Sequence, residues 1–185
     1  MFGEIVMREE KQRFRQEQRA RRRHLSSDYW QQVGHGITDR LCVLLSDQRV
    51  NQVGLYWPLA DEPVIGELPC SLAFPRVEGQ CMRFLQCEAS ALRPGTFGIE
   101  EPPAECEEVI PEVLIVPGLA FAQDGSRLGR GKGFYDRYLT AQEPWKIGVI
   151  DEAGLVASLP VEAHDARMDV IITQERVLMR KDDRR

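Results

Sequence analysis

The chain has 185 residues, 43% hydrophobic and 29% charged, with a formal net charge of −5. That is one ordinary domain with enough apolar mass for a core that needs no disulfide or metal staple, and it excludes the low-complexity and disordered classes. No stretch approaches the roughly 18 apolar residues of a membrane span, and the N-terminus, MFGEIVMREEKQRFRQ, turns charged too soon for a signal peptide, so a cytoplasmic protein is expected.

The charge is uneven. Residues 1 to 23 hold eight Arg/Lys against four Glu, so the remainder is strongly acidic. A basic arm suits nucleic acid or an anionic membrane face, but here acids and helix formers are interleaved, which composition alone reads as a solvated helix. That helix is predicted over Met7 to Arg23. Ser26 or Ser27 can cap a second helix through Tyr29, Trp30, Val33, Ile37, Leu41 and Leu44. Gly34 and Gly36 weaken it by about 1 kcal/mol each against alanine, which points to a bend or a close helix contact there.

After Asn51 the texture changes to short apolar, often β-branched runs: VGLYW, SLAF, MRFL, VLIV, KIGVI and VIIT, separated by Pro, Gly and acidic turns. Val113 to Val116 and Val170 to Thr173 lack alternation, as expected for strands covered on both faces. A single three-layer α/β/α domain follows, with an open, mostly parallel or mixed sheet. PGTFGIEEPPAECEE, from Pro94 to Glu108, reads as a long surface loop. Five cysteines (42, 70, 81, 87 and 106) without a CxxC pair indicate reduced core thiols, and three histidines (24, 35 and 164) without HExxH spacing leave only a hard metal plausible.

VLIV ends at Pro117 and Gly118, a turn LAFAQDG follows, and then comes GSRLGRGKGFYDRYL, with glycines ahead of a helical FYDRYL. A helix N-terminus presents unpaired N–H groups, glycines let an anion approach the backbone, and Arg127, Arg130 and Lys132 add positive charge, so this segment is expected to bind phosphate. It is not a Walker A loop, because Ser126 stands where the first glycine belongs and Gly133 follows the lysine. Its Gly129, Gly131, Gly133 spacing also fails the dinucleotide pattern.

RLGRGKGFYDRYL instead resembles the signature of the 5-formyltetrahydrofolate cyclo-ligase family. VLIVPGLAF before it, LPVEAHDARMDVIIT after it, YWPLADEP, FPRV and the KQRFR near the start are similar to further family blocks in the same order, so the resemblance spans nearly the whole chain. It implies ATP-dependent conversion of 5-formyltetrahydrofolate to 5,10-methenyltetrahydrofolate with release of ADP and phosphate. It also implies magnesium, small-molecule partners, no nucleic acid or membrane partner, and a monomer. By the same resemblance ATP meets Lys11, Arg15, Arg127, Leu128, Gly129, Arg130, Gly131, Lys132, Gly133, Phe134 and Tyr135. The folate meets Trp57, Glu62 and the Arg130 to Phe134 run; Arg130, Lys132 and Tyr135 serve the chemistry; Asp136 and Asp169 hold the metal.

Each assignment has a plainer alternative. Asp136 can pair with a neighbouring arginine, Asp169 can cap the start of VIIT, Trp57 can be core, Arg76 can make a surface ion pair rather than meet a substrate carboxylate, and His164 can be a structural polar residue. Arg19 and Arg21 to Arg23 have no assigned role. Two departures from the family stand out: Ala122 replaces an acidic residue, with Asp124 two positions on, and Pro63 and Val64 follow Glu62, where a helix start would be capped differently. Two other classes stay open, a phosphosugar isomerase-like enzyme of the same layering and an RNA-binding protein using its basic first helix.

Overall fold

The computed structural model describes residues 2–162 and 165–180. Helix α1 spans Phe2–Arg22 and α2 spans Ser27–Asp47. α1 starts earlier than the expected Met7. Ser26 caps α2, its side chain accepting from the Tyr29 N–H, and Trp30, Val33, Ile37, Leu41 and Leu45 form its buried stripe. The expected close contact lies at Gly34, where a Cβ would stand 2.0 Å from the Val64 carbonyl oxygen. Glycine is needed there so that residues 58–70 can lie directly on the helix backbone.

The strands are β1 Gln52–Gly54, β2 Ser71–Glu78, β3 Cys81–Gln86, β4 Arg93–Pro94, β5 Glu100–Glu101, β6 Glu108–Val109, β7 Val113–Pro117, β8 Ala120–Ala122, β9 Arg127–Leu128, β10 Trp145–Val149, β11 Leu155–Val156, β12 Val170–Ile172 and β13 Val177–Met179. Helix α3, Phe134–Ala141, lies between β9 and β10. The main sheet has the order β13-β12-β10-β7-β1-β2-β3-β6. Its centre, from β12 to β2, is parallel, while β13, β3 and β6 pair antiparallel at the edges.

Strand alternation builds the three layers. Val113, Ile115, Ile147, Val149, Val170 and Ile172 face α2, and Leu114, Val116 and Ile171 face Leu139 of α3 and Phe121 of β8. The small β11-β8-β9 sheet meets Phe14 of α1 through Leu119, Ala120 and Leu128. No helix among the described residues is long and apolar enough to cross a membrane.

The structure corrects four local expectations. LAFAQDG is not only a turn: Ala120–Ala122 is a buried strand, and only the following residues turn back to β9. The stretch from Pro94 to Glu108 is partly ordered, since β4 and β5 pair as a hairpin whose Glu101 is buried. No helix begins after Glu62, because Tyr56 donates to the Pro63 carbonyl and Val64 donates to Trp30, which uses the backbone in loop contacts. The cysteines are free thiols as expected, but none is fully buried: Cys70 and Cys87 pack against the core while half-buried, Cys42 and Cys106 are half-buried, and Cys81 is exposed.

Candidate functional site

From β1 the chain crosses to β2 on one side, and only later does β7 fill the other side of β1. Such a switch point opens a crevice beyond the carboxyl ends of the parallel strands. A cavity of about 500 Å³ lies there. Tyr56 and Trp57 after β1, Pro117 and Gly118 after β7, the 129–133 loop and the inner face of α1 line it.

The glycine loop joins β9 to α3. Gly131 and Gly133 have φ of +96° and +71°, a region costly for any residue with a Cβ, and Gly133 caps α3 with no side chain bonded over the helix start. The first N–H groups of α3 therefore remain available to an anion. α1 lies behind the loop: Arg15 Nε donates to the Gly129 carbonyl at 3.0 Å and Arg19 Nη2 to the Arg130 carbonyl at 3.1 Å.

The cations divide into two groups. Arg127 Nη2 meets Asp136 Oδ1 at 2.8 Å and its guanidinium lies 5.5 Å from the Tyr135 ring centre. Arg130 Nε meets Glu62 at 2.9 Å and Nη2 meets Asp61, while Lys11 Nζ meets Glu162 at 2.6 Å and Asp165 at 2.5 Å. Arg15, Arg19 and Lys132, by contrast, touch carbonyls or a ring and no carboxylate among the described residues: Lys132 Nζ lies 4.9 Å from the Phe97 ring centre. Burial, and then Arg19, lower the Arg15 pKa by more than the nearby Asp165, Asp136 and Glu162 raise it, so its counter-charge is incomplete. An incoming polyanion would supply that charge.

Aromatic side chains form the other wall. Trp57 packs edge-on to Phe74 at 6.0 Å, so it is partly core, yet it also lines the cavity. Phe97, at the tip of the β4–β5 hairpin, lies 5.9 Å from Phe134. Glu62 is fixed from two sides, accepting from the Leu59 N–H at 3.0 Å as well as from Arg130. Burial, and then Glu62, push the Tyr135 hydroxyl far above its ordinary value, so it stays protonated.

Lys11, Arg15, Trp57, Glu62, the whole of 127–135 and Asp136 thus come together around one cavity. Asp169 does not join them. Its carboxylate accepts from the Lys146 N–H at 2.9 Å and lies 3.2 Å from both Lys146 Nζ and Arg180 Nη2, on the N-terminal side of β12 and away from the cavity. That is the strand-start arrangement. Arg76 is also elsewhere, bonded to the Pro102 carbonyl and Glu78, and His164 lies outside the described residues. Among the described residues no group of three or more His, Cys, Asp and Glu is placed to hold a metal. Magnesium needs only one or two carboxylates alongside phosphates and waters, and Asp136, with one oxygen on Arg127, fits that lighter demand.

Arg21 and Arg22, which had no assigned role, are structural clamps. Arg21 forks onto the fully buried Asp151 at 2.5 and 2.9 Å, and Tyr29 donates to the same carboxylate. Buried Arg22 donates to the carbonyls of Asp61, Gly118 and Leu119, tying α1 to both walls of the cavity. Ala122 leaves no gap in loop shaping, because Asp124 accepts from both the N–H and the hydroxyl of Ser126 in the β8–β9 turn. Asp61, Phe97, Glu162 and Asp165 escaped sequence reasoning; the acids partner cations 69 to 154 residues away, and only the aromatic between two glycines in GTFG offered a local hint.

The 5-formyltetrahydrofolate cyclo-ligase family model matches residues 7–174, a span that includes both the α1 face and the glycine loop. The chain belongs to this family. Among relatives, the 5-formyltetrahydrofolate cyclo-ligase of Escherichia coli K12 is 28% identical over 177 residues, covering 86% of this chain and 97% of that protein. The 5-formyltetrahydrofolate cyclo-ligase of Mycolicibacterium smegmatis is 42% identical over 95 residues, an alignment that takes in 45% of this chain and about half, 49%, of the relative. The NMR structure of Aquifex aeolicus 5,10-methenyltetrahydrofolate synthetase superposes with a TM-score of 0.80 at 31% identity, covering 95% of each chain. The three-layer fold is thus shared with a solved cyclo-ligase family structure.

Proposed function

We propose that this protein is a 5-formyltetrahydrofolate cyclo-ligase, using ATP to close 5-formyltetrahydrofolate to 5,10-methenyltetrahydrofolate with release of ADP and phosphate. The observation that carries the reading is the undercompensated cation group, Arg15, Arg19 and Lys132, gathered behind and on a glycine loop that shares one cavity with Trp57, Phe97 and Phe134. One half of that cavity suits a triphosphate and the other a flat pterin and aryl group.

A formamide carbonyl is a poor electrophile, and its oxygen leaves poorly until it is phosphorylated. The formyl oxygen attacks the γ-phosphorus and ADP departs; N10 then adds to the activated carbon and gives up its proton to the phosphate or solvent, and the C–O bond breaks to release phosphate and the methenyl cation. Phosphoryl transfer depends mainly on positioning and charge neutralisation. Arg15, Arg127, Arg130 and Lys132 neutralise the phosphates, and the glycine-loop and α3 amides orient them. The protonated Tyr135 hydroxyl donates to a phosphoryl oxygen. Glu62, already oriented, accepts from pterin N–H groups with its remaining lone pairs. Magnesium belongs to the same proposal, with Asp136 as its protein ligand; it supplies charge neutralisation on the phosphates.

The protein is read as a cytoplasmic monomer acting on small molecules. The aromatic wall favours a folate over a phosphosugar, and the inward engagement of Arg15, Arg21 and Arg22 removes much of the basic face that RNA binding would use. The test is to mix purified protein with 5-formyltetrahydrofolate and MgATP, with and without a chelator, and follow the near-ultraviolet methenyl chromophore. Growth of the band that needs both substrates supports the proposal, and no band under any condition overturns it.

A further inference from the structure

β3 and β6 pair antiparallel with Phe84 opposite Val109 and Leu85 opposite Glu108. The register continues past the strand ends, because the Gln86 N–H donates to the Glu107 carbonyl at 2.8 Å, which places Cys87 opposite Cys106. The Cys87 N–H points the other way, to Leu72 of β2, and the Cys106 N–H turns back to the Pro103 carbonyl, so the two cysteines stand at a position without mutual backbone hydrogen bonds. Such pairs bring Cα atoms to about 4.5 Å and side chains close together, inside the window a disulfide spans. The Cys87 thiol donates to the Glu88 carbonyl at 3.3 Å, and burial, with the neighbouring Cys106 next, pushes it up to about 11. Both residues are half-buried, which leaves them accessible to a small oxidant.

The segment they bracket is not incidental. Its 18 residues, 88–105, include the β4–β5 hairpin and bring Phe97, Ile99 and Glu101 to the cavity wall. The hairpin itself is only two residues per strand, and Phe97 holds a left-handed backbone at φ +60°. A strand pair that short is marginal alone and depends on how its base is held.

We propose that Cys87 and Cys106 are an oxidisable dithiol whose disulfide staples the base of this pocket-lining hairpin. In the reaction one cysteine thiolate attacks a low-molecular-weight disulfide and expels one thiolate. The second cysteine then attacks the protein sulfur of the mixed disulfide and expels the other. One protein S–S bond forms, two S–H protons are lost, and the two electrons reduce the small disulfide to two thiols. Closing the segment removes open states from its ensemble, so its local unfolding is suppressed.

The experiment titrates the full chain with oxidised glutathione, alkylates the remaining thiols and maps peptides without reduction. The expected product is a Cys87–Cys106 cross-linked peptide, with Cys42, Cys70 and Cys81 alkylated. Chymotryptic cleavage after Phe97, exposed at the hairpin tip, should slow by about threefold or more on oxidation, and should not respond to the oxidant in Cys106→Ser. Cys87 and Cys106 that stay alkylatable, that end as two separate glutathione adducts, or that link to another cysteine overturn the proposal, as does unchanged cleavage in the cross-linked protein. None of these readouts requires catalytic turnover, so they stand or fall apart from the proposed activity.

Discussion

Lys132→Ala separates ligand recognition from folding. Lys132 is exposed on the glycine loop, and the contact its ammonium makes is with the face of Phe97 at 4.9 Å. An exposed cation–π contact of this kind is worth about 0.5–1 kcal/mol. For a chain of this size that is a fall in Tm of roughly 1–4 °C. A charge-assisted bond to phosphate is worth more, about 1.5–3 kcal/mol. If Lys132 meets the ATP phosphates, its loss should cost roughly 10- to 150-fold in kcat/KM for ATP. The assay follows the methenyl chromophore at saturating 5-formyltetrahydrofolate while MgATP is varied, alongside a thermal melt of the same preparations. A large fall in Tm with an activity loss explained by unfolding, or a kcat/KM within twofold of wild type, refutes the reasoning.

Gly34→Ala should lower the urea midpoint by an amount worth about 2–4 kcal/mol, because its Cβ would overlap the Val64 carbonyl, whereas Gly66→Ala, whose Cβ would make an ordinary 3.4 Å contact with the Thr38 side chain, should be nearly neutral; equal midpoints would remove the close-packing argument. Asp136→Asn should cut turnover by about tenfold or more and raise the magnesium requirement, while Asp169→Asn should lower Tm with turnover within about twofold. The reverse pattern would return the metal to Asp169. Burial, with Asp151 next, pushes Tyr29 up to about 12, and burial with Glu108 does the same to Tyr138. Because the folded chain holds these protons more tightly than the unfolded chain, stability is unaffected by them below about pH 10 and falls as pH rises from 10 towards 12. Chemical denaturation across that range checks it, and Asp151→Asn should weaken the part due to Tyr29.

Much of the fold was legible because its signals are local. The apolar spacing from Trp30 to Leu41 and the cap at Ser26 specify α2, and VLIV and VIIT announce strands covered on both faces. β8 was hidden because AFA is three residues beside a turn signal, and its strand character comes from pairing with Arg127–Leu128 and Leu155–Val156. Asp136 and Asp169 look alike in sequence, and only the register of β12 against β10 separates them, placing Asp169 beside Lys146 and leaving Asp136 at the cavity.

By itself the sequence determined the layer type, the family and the backbone freedom of the glycine loop, since periodicity, residue order and glycine content are properties of short contiguous stretches. Tertiary structure alone decided which cations keep charge to spare. Lys11 is matched by Glu162 and Asp165, and Arg130 by Asp61 and Glu62, whereas Arg15, among the described residues, bonds to a carbonyl and feels its nearest carboxylates without touching them. Electrostatic compensation acts through distances of a few ångströms between residues far apart along the chain, and folding is what sets those distances.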